Sequence, residues 1–137
     1  ALTSIVTGAW PGEHGLVGYQ VRDPSRDRLV NQLSGWESEG LDPATWQAAP
    51  TVFERATDER RRAFAVGIAA YATSGVTRAT LRGAEFVAAR TPAERVQVAY
   101  GLAEQHPGSL VYCYLPEVDK AGHRYGVDSP QWVAALE

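Results

Sequence analysis

A chain of 137 residues, 45% of them hydrophobic, is long enough to bury a core of its own. Its net charge of −3 removes the electrostatic case for a nucleic-acid polymer as a partner. No apolar run approaches the ~20 residues that span a bilayer, so no membrane partner is expected within this segment.

The N-terminus lacks the pattern of a signal peptide. The lone Cys113 has no internal disulfide partner and reads as a small hydrophobe within an apolar strand, so a reducing, cytoplasmic location is the expectation. The chain contains no methionine, and it stops soon after Ser129-Pro130 opens a helix. Both features lead to the expectation that residues 1–137 are an internal fragment of one larger domain.

In chain order, residues 1–7 read as the end of a helix stopped by Gly8. Trp10 to Gly15 reads as a turn-rich loop. Residues 16–21 and 28–34 read as two short strands joined through Arg22-Asp-Pro-Ser-Arg-Asp27, which carries hairpin chemistry. A polar loop with Trp36 and Trp46 follows, with one helical turn opening at Asp42-Pro43. Thr51-Val-Phe-Glu54 is a capping box and starts a helix that ends near Thr57 or near Arg61. Arg62 to Ile68 reads as a strand. Ser74-Gly75 punctuates, and Thr77 to Leu81 reads as a helical turn. Ala84 to Ala88 is ambiguous. A second capping box, Thr91-Pro-Ala-Glu94, opens a helix to about Gln105. Val98 and Leu102 are expected to face inward, with Val96 and Ala99 beside them. His106-Pro-Gly108 ends that helix, and residues 109–115 read as a buried strand. Strands alternating with helices predict an α/β layered fold.

The most informative stretch follows that last strand: Asp119-Lys-Ala-Gly-His123, with Arg-Tyr-Gly126 behind it. A carboxylate and an imidazole four residues apart can reach one metal ion. Glycines at 122 and 126 suit a tight loop around them, and loops at the carboxyl ends of strands are where open α/β sheets place their chemistry. Taken on spacing alone, the same pair also fits an ordinary surface pair on a helix face.

Two segments together resemble the alkaline phosphatase superfamily, and within it the type I phosphodiesterase/nucleotide pyrophosphatase branch. One is Ser4-Ile-Val-Thr-Gly8 with Pro11 and His14-Gly15. The other is Asp119 with Gly122-His123 and Gly126, which is similar to the family's D-x-x-G-H-x-x-G metal motif. Thr51-Val-Phe-Glu-Arg-Ala56 also fits the bacterial members. The resemblance implies a layered α/β catalytic domain with a mostly parallel central sheet, of which residues 1–137 are an internal part. It implies two zinc ions, with Asp119 and His123 as metal ligands on the ion that faces the incoming water. It places the nucleophile, a Thr or Ser, just before Ala1, and the course it implies is a covalent phospho-threonine followed by hydrolysis. Some family members hold a phosphoryl oxygen with an Asn shortly after the His-Gly. Tyr19 stands at that position here, so the resemblance makes Tyr19 the substrate-binding candidate and leaves diester against monoester preference open.

The expected partner is a small-molecule phosphate ester, with nucleotides among the candidates, and the fragment alone is expected to be inactive. Phosphomonoester, phosphonate or sulfate hydrolysis and phosphomutase chemistry on the same scaffold are the near alternatives. A non-catalytic α/β domain that binds a partner is the distant one. His14 reads as a loop residue bonded to backbone, and Arg60 to Arg62 as a solvated face. Lys120, the only lysine, reads as a solvated side chain. The four tryptophans read as packing groups, with Trp36 or Trp46 as the ones able to stack a base.

Overall fold

A computed structural model describes residues 1–137. Helix α1 (Leu2–Thr7) stops at Gly8, whose φ of 69° is the left-handed conformation a helix end favours. The segment read as a loop after it contains one helical turn, α2 (Pro11–His14). Pro11 presets the first helical position, the Glu13 carboxylate accepts the Trp10 N–H, and Gly15 ends the turn. Strands β1 (Gln20–Asp23) and β2 (Arg28–Asn31) form the expected antiparallel hairpin, with Asp23 opposite Arg28. Asp23 turns inward and holds the link by accepting from the Ser25 N–H and hydroxyl.

Helix α3 (Pro43–Trp46) is capped by Asp42, and α4 (Val52–Asp58) by Thr51 in the predicted capping box. Strand β3 (Ala63–Gly67) is buried at all five positions. A 3-10 turn at Ala69–Tyr71 and α5 (Gly75–Thr80), capped by Ser74, lead to β4 (Glu85–Ala88). Helix α6 (Pro92–Gln105) begins in the second capping box and returns the chain to β5 (Leu110–Cys113). Two helices close the chain, α7 (Glu117–Tyr125) and α8 (Pro130–Leu136).

Strands β4, β3 and β5 form one parallel sheet in that order, with Ala63 beside Leu110 and Gly67 beside Ala88. The chain is therefore α/β, a parallel sheet flanked by helices. Ala63 and Ala65 join Val6 of α1, Phe53 of α4 and Leu81 in one core. Phe64, next along the strand, stacks its ring on His106 at the end of α6. A second core, Val30, Trp36, Leu41 and Ala79, ties the hairpin to α5.

Several expectations are corrected. The strand at 109–115 is shorter than read and only half-buried, because it lies at the sheet edge and has a single neighbour. On α6 the fully buried residue is Arg95, while Val96 is half exposed. Among the tryptophans Trp36 is buried and packs as expected, but Trp10 is exposed. The largest correction concerns residues 119–125, which are helix and not loop. Acids in the first turn and His123 and Arg124 in the last complement the helix dipole. Gly122 leaves room for Trp132 of α8, whose ring lies 3.2 Å from where a Cβ would stand. Gly126, at φ 90°, ends the helix.

Candidate functional site

The carboxyl ends of β3 and β5 open into a cleft of about 500 Å3. Its walls include Tyr19 from the approach to β1, Tyr71 from the 3-10 turn, Tyr112 and Tyr114 from β5 and the residue after it, and Asp119 and Lys120 from α7. This is the edge at which a parallel sheet places its ligands.

Asp119 and His123 lie one turn apart on the same face of α7. Their Oδ1 and Nε2 atoms are 3.6 Å apart, and the side chains are 69% and 80% exposed. The structure thus brings together the two predicted ligands, and it brings Tyr19 and Asp119 to one cleft, while His123 stands outside the cleft wall. A tetrahedral zinc ion with ligands at about 2.0–2.1 Å spaces its donor atoms about 3.3 Å apart. The pair fits as two donors of one such site, a carboxylate oxygen and an imidazole nitrogen. No group of three His, Cys, Asp or Glu side chains is assembled within residues 1–137. Within these residues the pair therefore offers two donors and no third.

Tyr19 is 72% exposed and free to present its phenol to a ligand. Burial, together with the charge of neighbouring groups, raises the phenols of Tyr112 and Tyr114 above their ordinary value of 10.0. Both remain O–H donors at neutral pH. The Lys120 ammonium lies 5.7 Å from the centre of the Tyr71 ring, which draws its chain along the cleft wall. Lys120, expected as a solvated side chain, instead lines the cleft, and the tyrosines at 71, 112 and 114 carry no motif in the sequence. Their only linear signal is proximity to the sheet's carboxyl edge.

Ser4 and His14 form a pair that resembles a nucleophile and its base, with Oγ and Nε2 3.0 Å apart. The hydrogen bonds assign a different role. His14 Nδ1 accepts the Leu16 N–H, so the ring proton resides on Nε2 and is donated to Ser4 Oγ. Burial also lowers the pKa of His14 and keeps it neutral. A ring that is already donating to the hydroxyl cannot take its proton. His14 is a structural clasp between α1 and α2, in line with the backbone-bonding role expected of it. Trp36, at 3% exposure with Nε1 donating to the Gln32 carbonyl, is closed to base stacking.

A family model described as type I phosphodiesterase / nucleotide pyrophosphatase matches residues 1–137. No curated protein matches the chain at a significant level. Among solved structures, the chain is similar to murine ectonucleotide pyrophosphatase/phosphodiesterase 5 in an inactive form in complex with AMP. The likeness has 16% identity and a TM-score of 0.64 and covers 98% of this chain and 36% of that one. A second structure of the murine protein gives 15% identity, a TM-score of 0.63 and the same coverage. At that identity the likeness is one of fold, and the chain spans 36% of the length of the structures it matches.

Proposed function

Since the chain belongs to the type I phosphodiesterase/nucleotide pyrophosphatase family, we propose that it forms part of the catalytic domain of a zinc-dependent hydrolase of phosphodiester or nucleotide pyrophosphate bonds. The observation that carries this reading is the placement of Asp119 and His123. They share one helix face at the carboxyl edge of the parallel sheet, with their donor atoms 3.6 Å apart. The AMP held by the murine protein supports a nucleotide as the ligand class.

In this reading Asp119 and His123 hold one zinc ion. Bound there, zinc neutralises phosphoryl charge and lowers the pKa of a coordinated hydroxyl. The remaining ligands and a nucleophilic threonine, which carries the phosphoryl group covalently before hydrolysis, come from outside these residues. The chain's own side chains bind and orient the ester. Tyr19 donates its phenol O–H to a phosphoryl oxygen. The apolar cleft behind it receives the organic part of the ester and excludes water. Lys120 offers a cation to an oxygen that extends along the wall.

The test uses the intact catalytic domain with zinc and compares an aryl phosphodiester with an aryl phosphomonoester. Asp119→Asn and His123→Ala are each expected to lose zinc and to lower kcat/KM on the diester by orders of magnitude. Tyr19→Phe is expected to weaken diester hydrolysis while zinc content stays unchanged. A faster monoester reaction would move the assignment to phosphomonoester chemistry on the same scaffold. Full activity and zinc content in both ligand variants would overturn the metal reading and leave a non-catalytic binding domain.

A further inference from the structure

Helix α7 carries both candidate ligands, yet it buries none of its own residues, and Pro116 at its N-cap has no side chain to cap it. Its anchorage to the sheet is at the first turn. Pro116 is fully buried there, and Glu117 accepts a hydrogen bond from Nη2 of Arg95 on α6. Arg95 is 0% exposed and is the largest fully buried side chain of the protein. Its Nη1 donates to the Arg90 carbonyl at 3.0 Å. Glu117 is the only carboxylate in ion-pair contact with it. Arg95 Nε and Glu117 Oε2 have no hydrogen-bond partner in the chain.

Enclosing a guanidinium in this way is a poor means of gluing α6 to its neighbours. Well-packed apolar side chains of similar volume hold elements together as well or better. An ion pair differs from apolar packing in being directional. The guanidinium is planar and donates along fixed lines, so its bond to Glu117 sets both the height and the rotation of the first turn of α7. Asp119 and His123 ride on the same short, rigid helix, and a metal site tolerates only small displacements of its donors.

We infer that Arg95 is a positioning residue: through Glu117 it places α7 so that Asp119 and His123 present their donor atoms together at the edge of the cleft. This rests on the reading of those two residues as zinc ligands. Arg95 is wholly enclosed and bonds only the Arg90 carbonyl and Glu117, so its effect on the two candidate ligands passes through α7.

The test uses the intact catalytic domain and two readouts, zinc affinity by competition with a chromophoric chelator and amide hydrogen exchange of residues 117–125. Arg95→Met and Glu117→Gln are each expected to speed exchange across α7 and to weaken zinc binding about 10- to 100-fold, the usual range for groups that orient ligands. Glu117→Gln keeps the shape of the side chain and serves where Arg95→Met fails to fold. The double variant removes the unpaired buried charge. It is expected to recover thermal stability relative to Glu117→Gln, which leaves the enclosed Arg95 guanidinium without its carboxylate, while zinc affinity stays low. Zinc affinity that recovers along with stability would reduce the pair to a structural role and overturn the inference. Unchanged exchange in α7, or zinc affinity within about twofold of the parent while Asp119→Asn abolishes binding, would also overturn it. If zinc binding is indifferent to Asp119→Asn as well, the metal reading has failed, and the exchange data alone decide whether Arg95 anchors α7.

Discussion

His14 is the clearest case of a residue whose role is set by its hydrogen bonds. It is 1% exposed, accepts from the Leu16 N–H and donates to Ser4 Oγ. Burial holds its folded pKa below the ordinary 6.5, so between those two values the unfolded chain binds more protons than the folded one. Stability from the neutral ring is complete above pH 6.5 and is lost as pH falls below it toward the folded value. The Tm of the parent is therefore expected to fall between pH 7 and pH 5 by an increment that His14→Gln lacks. Equal slopes in the two proteins would contradict the neutral-ring assignment. Asp119 and His123 are the opposite kind of residue. They are exposed, and neither side chain is held by a hydrogen bond, so their meaning depends on the helix beneath them.

Elements in this chain form where capping chemistry is explicit. Thr51 and Thr91 both complete a capping box, and both helices begin where their boxes predict. The two caps differ in surroundings. Thr51 is fully buried, and its hydroxyl also donates to the Arg82 carbonyl at 2.5 Å. Arg82 in turn hydrogen-bonds Glu54, which holds that carboxyl below its ordinary range. Thr91 is exposed and serves its own helix alone. Thr51→Ala is expected to cost about 2 kcal/mol and Thr91→Ala about 1 kcal/mol. Urea denaturation reads both, and equal losses would mean that the Arg82 link contributes nothing. Helix α7 lacks such a signal, because Pro116 is a silent cap and two glycines follow within the motif. That is why residues 119–123 read as a loop along the sequence and fold as a helix.

Across the whole molecule, the hairpin region and α5 are joined at Trp36 and Gly75. A Cβ at Gly75 would fall 2.0 Å from Trp36 Cγ, and Trp36 is almost wholly buried. Gly75→Ala is expected to cost about 3 kcal/mol, the upper end of the usual overpacking range, with a matching fall in Tm. A loss below about 1 kcal/mol would show that the hairpin can shift away from α5. The capping boxes, the hairpin, the alternation of strand and helix and the Asp119–His123 spacing were legible in the linear chain, because each depends on residues close together in sequence. The depth of β5, the exposure of Val96 and Trp10 and the helical state of the Asp119–His123 segment were not, because each depends on what packs against the element from elsewhere. The same holds at the cleft. The sequence by itself determined the α/β class, the family resemblance and the two candidate ligands, since local periodicity and motif spacing are properties of neighbouring residues. Only the tertiary structure decided that Tyr19, Tyr71, Tyr114 and Lys120 share one cleft with Asp119, and that Arg95 reaches Glu117, because parallel pairing of β4, β3 and β5 brings distant segments to one edge.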